Sequence, residues 1–246
     1  MALIEEFEKS GGWLFRWRSY LPLVFIALYL FVLWQYSPHR FVALCPLAWD
    51  IFSVFVGFFG LLIRFITIGY TPRGTSGRNT KKQIAESLNT LGIYSLVRNP
   101  LYLGNFLMGL AVVLLFPIWW MILIYTLVFW IYYERIIFVE EAFLRDKFGD
   151  VYLKWSEKTP AFIPRFGNYQ KNKIPFSTKN AIKREDNGFF GYVFVMSFVK
   201  FLGDYFQTNL LEFELWWMVF LAVGFVLWIC LRFIRKSTKF FSVEGR

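Results

Sequence analysis

Histidine and cysteine are nearly absent from this chain, whose 246 residues include one histidine and two cysteines. A transition-metal site built on imidazole or thiolate ligands needs several such residues close together, so we expect no metal centre. Cys45 and Cys230 both lie in apolar runs, which is not the pattern of a disulfide framework. His39 stands in the short polar segment Ser37–Arg40, where we predict a solvated loop residue.

Charged residues are also scarce, at 18% of the chain against 57% hydrophobic and 22% aromatic residues, and the mean hydropathy is +0.45. Soluble domains contain about 25% charged residues, so this composition predicts an integral multi-pass membrane protein. The net charge of +10 would suit nucleic acid in a soluble protein. Here the basic residues fall between apolar runs, so the predicted partner is the membrane and not nucleic acid.

Six apolar runs are long enough, or nearly so, to cross a bilayer, which takes roughly 20 residues. They lie at about 20–36, 42–66, 101–116, 118–139, 188–206 and 212–234. The first run has no small-residue cleavage site after it and is predicted to be a retained helix. The expected fold is therefore an all-α polytopic membrane bundle of about six transmembrane helices.

Lysine and arginine residues are concentrated in alternate loops. The loop from Arg64 to Arg98, the segment from Arg145 to Arg184 with its ten Lys or Arg residues, and the C-terminal tail are basic. The connections between them carry few basic residues. The positive-inside rule then places both termini in the cytoplasm, and in a bacterium the membrane would be the inner one.

A first polar island, from Gly92 to Gly104, directly precedes and enters the third apolar run. The residue before a proline avoids the helical region, and proline suits the first turn of a helix. Arg98, Asn99 and Pro100 therefore predict a helix start at the membrane surface, where free backbone N–H groups favour a carboxylate or phosphate. The alternative is a plain helix cap whose arginine extends towards the surface.

A second polar island begins with Glu140 and Glu141, where the fourth apolar run ends. Adjacent helix positions point about 100° apart, so one carboxylate can face a site while the other makes an ion pair. A carboxylate near the interface suits an ammonium group or the hydroxyls of a ribose. The alternative is a solvated helix end with Glu141 paired to Arg145. Because both islands are predicted on one membrane face, a shared site is favoured.

Together the islands resemble the isoprenylcysteine carboxyl methyltransferase and phospholipid methyltransferase superfamily, over about residues 60–166. That family has an Arg-His-Pro-x-Tyr-x-Gly stretch, a hydrophobic hairpin and a Glu-Glu pair, often followed by Phe-Gly, Tyr and a Pro-containing exit. The matching residues here are Arg98, Asn99, Pro100, Tyr102, Gly104, Glu140, Glu141, Phe148, Gly149, Tyr152 and the segment Thr159–Pro164. The upstream segment Thr90–Tyr94 resembles the bacterial branch.

The resemblance implies S-adenosylmethionine as methyl donor, held at the cytoplasmic face. The implied cofactor-binding residues are Tyr94, Arg98, Asn99, Pro100, Tyr102, Gly104, Glu140 and Glu141. The helix start would take the donor's carboxylate, and one glutamate its amino group or ribose. Asn99 stands where many members have histidine. Asparagine keeps hydrogen-bonding capacity but cannot take a proton near neutral pH, so any base role is lost here.

Methyl transfer from a sulfonium depends mostly on positioning and on desolvation of the nucleophile. A carboxylate or phosphate is already ionised, whereas an amine would need a base, and no histidine is near. An anionic group of a lipid or lipidated substrate is therefore the expected acceptor. We predict Arg135 and Glu141 as catalytic residues, with Arg135 orienting the acceptor.

Two other interpretations stay open, namely a sterol-reductase-like membrane enzyme that uses NADPH and a membrane protein without enzymatic activity. In the favoured interpretation the chain divides into four parts. These are N-terminal transmembrane helices at 1–69, a methyltransferase core at 70–166, a basic linker at 167–187 and a C-terminal helical pair with its tail at 188–246.

Overall fold

The computed structural model describes residues 2–36, 46–72, 85–238 and 240–241. Regular structure in these residues consists of nine α-helices, one 3₁₀ turn at Phe166–Asn168 and an isolated β-bridge between Gly92 and Gln170. The helices are α1 (Leu3–Trp17), α2 (Leu21–Tyr36), α3 (Pro46–Gly69), α4 (Ile93–Leu96), α5 (Pro100–Leu114), α6 (Trp119–Phe148), α7 (Asp150–Lys158), α8 (Thr178–Thr208) and α9 (Leu215–Ser237).

Each of the six predicted apolar runs contains a helix, so the all-α membrane bundle is confirmed. Among the described residues, α3, α6, α8 and α9 are long and apolar enough to span a membrane. Helices α1 and α2 meet at 79° and give a fifth span if they are counted together. Helix α5, with 15 residues, is shorter. His39 and Cys45 lie outside the described residues, and Cys230 is free and exposed.

Helix α1 is an element that the apolar runs do not predict. It packs along the second half of α6, where Phe7 meets Phe138 edge to face at 5.5 Å. Trp13 and Trp17 remain exposed on its other side. Tryptophan side chains favour the boundary between lipid and water, so α1 has the character of an interfacial helix that covers the end of α6.

Helix α8 begins at Thr178, so the second half of the segment 167–187 is helical and not a linker. The Ser177 hydroxyl caps the helix by accepting a hydrogen bond from Asn180 N at 3.3 Å. The Asn180 side chain in turn donates to the Ile68 carbonyl, 3.1 Å away. Polarity predicted a linker here, but Asn180, Glu185 and Asp186 are buried in the described fold.

Helices α3 and α5 pack so closely that their glycines nearly touch. A Cβ added at Gly104 would lie 2.7 Å from the Gly60 carbonyl oxygen and 2.5 Å from Arg64 Cγ. A Cβ added at Gly60 would in turn lie 2.6 Å from the Gly104 carbonyl oxygen. Small residues at such crossings let helix backbones approach in a membrane. This contact fixes the start of α5 relative to α3.

We expect Gly104→Ala to lower the melting temperature of the detergent-solubilised protein, because the added methyl group forces α3 and α5 apart. Overpacking of this kind costs about 1–3 kcal/mol. Gly12→Ala is the matched control, since Gly12 is also helical but has nothing within 4 Å of an added Cβ. That control should be neutral or slightly stabilising. Equal melting temperatures for Gly104→Ala and the wild type would contradict the close crossing.

Candidate functional site

The structure brings the two polar islands together at one end of the bundle. Arg98 Nη1 lies 3.3 Å from Glu141 Oε2. Beside this pair, the Tyr102 hydroxyl donates to Glu140 Oε1 at 2.8 Å. Arg18, in the bend between α1 and α2, places Nη1 3.4 Å from the same Glu140 oxygen. The alternative pair of Glu141 with Arg145 is not formed among the described residues. The start of α5 and the end of α6 instead share one polar cluster.

The Arg98–Glu141 pair keeps unused hydrogen-bonding capacity. Arg98 Nε, Glu141 Oε1 and the neighbouring Tyr152 hydroxyl are all buried, and none of them makes a hydrogen bond of good geometry within the described residues. A buried donor or acceptor without a partner is costly, so such atoms mark a place where a ligand or water completes the bonding. The donor and the acceptor belong to one ion pair, which suits a ligand that carries both charges.

Tyr152, at the start of α7, adds a phenol beside this pair. Burial raises the pKa of Tyr152, and the negative charge of Glu141 raises it further. Burial, followed by the negative charge of Glu140, also raises the pKa of Tyr94 to about 12. Both phenols therefore stay protonated at neutral pH and offer hydrogen-bond donors rather than bases.

Asn99 ties the start of α5 to the loop after α7. Its side-chain Nδ2 donates to the Ala161 carbonyl at 3.0 Å. Two backbone bonds reinforce the connection, from Arg98 N to the Pro160 carbonyl and from Arg165 N to the Leu96 carbonyl, each at 2.9 Å. An amide makes this tether without taking a proton. Asparagine therefore suffices for this tether.

The predicted helix start is confirmed, since α5 begins at Pro100 with Asn99 as its N-cap. Two other predicted site residues point elsewhere. Arg135 donates to Ser10 Oγ at 2.8 Å and lies 4.6 Å from the Phe7 ring centre, because its face of α6 is covered by α1. Gly104 faces α3, so its missing side chain serves helix packing. Neither residue lies in the Arg98–Glu141 cluster.

A chain of polar side chains that the sequence analysis does not identify leads from α8 to the cluster. Glu185 binds Arg64 through both carboxylate oxygens, at 2.8 and 2.9 Å. Arg64 donates to Asn105, and Asn105 Nδ2 donates to the Tyr133 hydroxyl at 3.1 Å. The Tyr133 ring lies 4.5 Å from that of Tyr102. The sequence contained a signal for Arg64, because a charged residue within an apolar run indicates a buried partner or a functional site.

The fold and the cluster define a polytopic helical membrane protein with a partly buried arginine–glutamate site at one end. Residues 51–151 match the phospholipid methyltransferase family model, and this segment contains both islands. Over 85 residues, 35% of this chain, the sequence is 36% identical to the Protein-S-isoprenylcysteine O-methyltransferase of Schizosaccharomyces pombe.

These two matches confirm the predicted resemblance of the segment they cover to the isoprenylcysteine and phospholipid methyltransferase superfamily. The second match covers 36% of the length of the Schizosaccharomyces pombe protein. The similarity is therefore limited to one segment and does not extend over the two whole proteins. No solved structure matches the chain.

Proposed function

We propose that this protein is a membrane-embedded methyltransferase that uses S-adenosylmethionine and methylates an anionic polar group of a lipid or lipidated substrate. The observation that carries the proposal is the Arg98–Glu141 pair with its buried free Nε and Oε1 atoms. The pair lies in the segment 51–151 that matches the phospholipid methyltransferase family model, and Tyr152 directly follows this segment.

The free atoms of this pair suit the amino-acid end of the donor. S-adenosylmethionine supplies an electrophilic methyl group on a sulfonium, and its other end carries an ammonium and a carboxylate. Glu141 Oε1 would accept from the ammonium, and Arg98 Nε would donate to the carboxylate, as charge-assisted hydrogen bonds. Tyr102 and Glu140, already joined at 2.8 Å, are the groups that would bind ribose hydroxyls.

The protonation of the site supports an acceptor that is already ionised. The pKa of Tyr94 is raised to about 12 and that of Tyr152 is raised as well, so neither phenol removes a proton at neutral pH. A carboxylate or phosphate acceptor needs only to be held and partly desolvated next to the donor. Arg135 is not proposed as the residue that orients the acceptor, since it is bound to α1.

The loop tethered by Asn99 supports approach of the acceptor from the membrane. Ile163 and Phe166 in this loop are almost fully exposed, at 74% and 79%. Large apolar side chains next to a polar cluster suit insertion at the lipid boundary. The matched family is named for phospholipid methylation, and the Schizosaccharomyces pombe relative is named for isoprenylcysteine methylation. Both names agree with a lipid or prenylated acceptor.

The charge distribution supports a cytoplasmic location for this site. The segment from Arg145 to Arg184, which begins at the same end of the bundle as the cluster, contains ten Lys or Arg residues. At the opposite end, Asp50, Asp204 and Glu214 surround Lys200. By the positive-inside rule the basic end faces the cytoplasm, and both chain termini would then lie on that side.

Calorimetric titration of the purified protein tests the proposal. S-adenosylhomocysteine should bind and NADPH should not, and Tyr102→Phe and Glu140→Gln should each weaken that binding. Transfer of a labelled methyl group to lipid extracts then assigns the acceptor class. Binding of NADPH without S-adenosylhomocysteine would replace the proposal by a reductase-like activity. Binding of neither ligand would favour a protein without enzymatic function.

A further inference from the structure

Arg18 belongs to the polar cluster, but it comes from a part of the chain outside the segment that matches the family model. The matched segment is 51–151, whereas Arg18 lies in the bend between α1 and α2. Its Nη1 atom is 3.4 Å from the Tyr102 hydroxyl oxygen and 3.4 Å from Glu140 Oε1. One guanidinium nitrogen thus contacts both groups that would bind the ribose hydroxyls of the methyl donor.

The bend holds the Arg18 guanidinium in a defined place. Tyr20 N donates to the Trp17 carbonyl at 2.9 Å, which closes a tight turn directly after α1. The guanidinium carbon lies 4.2 Å from the centre of the Phe15 ring, and Phe15 is itself buried. Arginine is attracted to the face of an aromatic ring, so Phe15 restrains the side chain that reaches the cluster. Arg18 is therefore directed at the cluster by contacts within its own helix and turn.

The docking of α1 on α6 sets the position of this bend relative to the cluster. An added Cβ at Gly11 would clash with the Arg135 carbonyl oxygen of α6, so the two backbones are in close contact there. The next residue, Gly12, has nothing within 4 Å of an added Cβ. Arg18 lies about two helical turns after Gly11, so a displacement of α1 at Gly11 would also move the Arg18 guanidinium.

We propose that Arg18 is a positioning residue of the donor site, and that α1 completes this site only while it is docked on α6. The inference rests on the proposed function, because Arg18 would act through the two groups assigned to the ribose. Its Nη1 donates to the Tyr102 oxygen, and the Tyr102 hydroxyl donates in turn to Glu140 Oε1. These charge-assisted contacts fix the carboxylate and the phenol in one arrangement. A ribose would then bind without first ordering them.

Calorimetric titration with S-adenosylhomocysteine of the full chain in nanodiscs tests the inference. Arg18→Gln removes the positive charge, whereas Arg18→Lys keeps one cationic nitrogen, which is what both observed contacts use. Arg16→Gln is the matched control, because Arg16 lies on the same helix and is exposed. Glu140 exposes 26% of its side chain, so water can replace the lost contact and the melting temperature should change little.

Arg18→Gln should weaken binding about tenfold, Arg18→Lys should recover most of this loss, and Arg16→Gln should bind like the wild type. Because Arg18 acts through Glu140, Arg18→Gln combined with Glu140→Gln should lose less affinity than the sum of the two single changes. When Arg18→Gln is combined with Glu141→Gln, which would act on the other end of the ligand, the losses should add. A general weakening of the fold would not distinguish these two glutamates.

The dependence on docking is measured with Gly11→Ala, and the neighbouring Gly12→Ala is its matched control. Gly11→Ala should weaken the binding of S-adenosylhomocysteine by the folded protein, and Gly12→Ala should leave it unchanged. Wild-type affinity in Gly11→Ala would contradict that dependence. Wild-type affinity in Arg18→Gln, or equal coupling to both glutamates, would overturn the role of Arg18 while the proposed function stands, since the wild type binds. No binding by the wild type would instead overturn the proposed function and this inference together.

Discussion

Glu141→Gln is expected to weaken the binding of S-adenosylhomocysteine at least about tenfold, with little change in melting temperature. The amide has the same size as the carboxylate but loses the negative charge that would pair with the ligand's ammonium. The one amide oxygen can keep the contact with Arg98, whose Nη1 lies 3.3 Å from Glu141 Oε2, and the N–H₂ group then faces the ligand's ammonium. Glu141 exposes 25% of its side chain, so water can reach the altered contact with Arg98 and the fold should tolerate the change.

Glu134→Gln is the matched control, since Glu134 lies on the same helix and is exposed. It should bind S-adenosylhomocysteine like the wild type. Arg98→Gln and the double variant complete a cycle. Because Arg98 and Glu141 would hold one end of one ligand, the double variant should lose less affinity than the sum of the two single changes. Wild-type binding by Glu141→Gln would remove Glu141 from the proposed site.

The general architecture and the position of the site follow from local features of the sequence. A run of about 20 apolar residues predicts a membrane helix by itself. Each of the six predicted runs coincides with a helix in the structure. The start of α5 is equally local, because Pro100 fixes its own backbone and restricts Asn99. The alternation of basic and non-basic loops predicted that the two polar islands lie on one membrane face. In the structure they are in contact, because Arg98 pairs with Glu141 and Tyr102 donates to Glu140.

The directions of individual side chains could not be predicted in the same way, because they depend on packing between distant elements. Arg135 was predicted to orient the acceptor, yet Ser10 and Phe7 on α1 bind it. That contact requires knowing that α1 exists and lies on α6. Gly104 likewise faces α3, because Gly60 has no side chain and lets the two helices approach. These two glycines are far apart in the sequence, so their contact could not be predicted. Arg18 reaches Glu140 only through the bend after α1.

The second large effect is expected at the Arg64–Glu185 bridge, which links α3 to α8 near the cluster. Glu185→Gln should lower the stability of the protein by about 3–5 kcal/mol, as is usual when one partner of a buried ion pair is removed. Glu185 exposes 7% of its side chain, against 25% for Glu141, so little water can reach its contact with Arg64. Both Glu185 oxygens accept from Arg64, and an amide can satisfy only one of these bonds.

Glu6→Gln is the matched control, because Glu6 meets Arg135 at 3.9 Å with 58% of its side chain exposed, and such pairs contribute little. Thermal unfolding in detergent measures both variants, and equal melting temperatures would contradict the assignment of Arg64–Glu185 as a buried bridge.

The bridge is also connected to the candidate site. Arg64 donates to Asn105, Asn105 donates to the Tyr133 hydroxyl, and the Tyr133 ring packs against that of Tyr102. In the folded fraction of Glu185→Gln, the affinity for S-adenosylhomocysteine should therefore fall as well. A loss of stability with unchanged affinity would show that α8 supports the fold without positioning Tyr102.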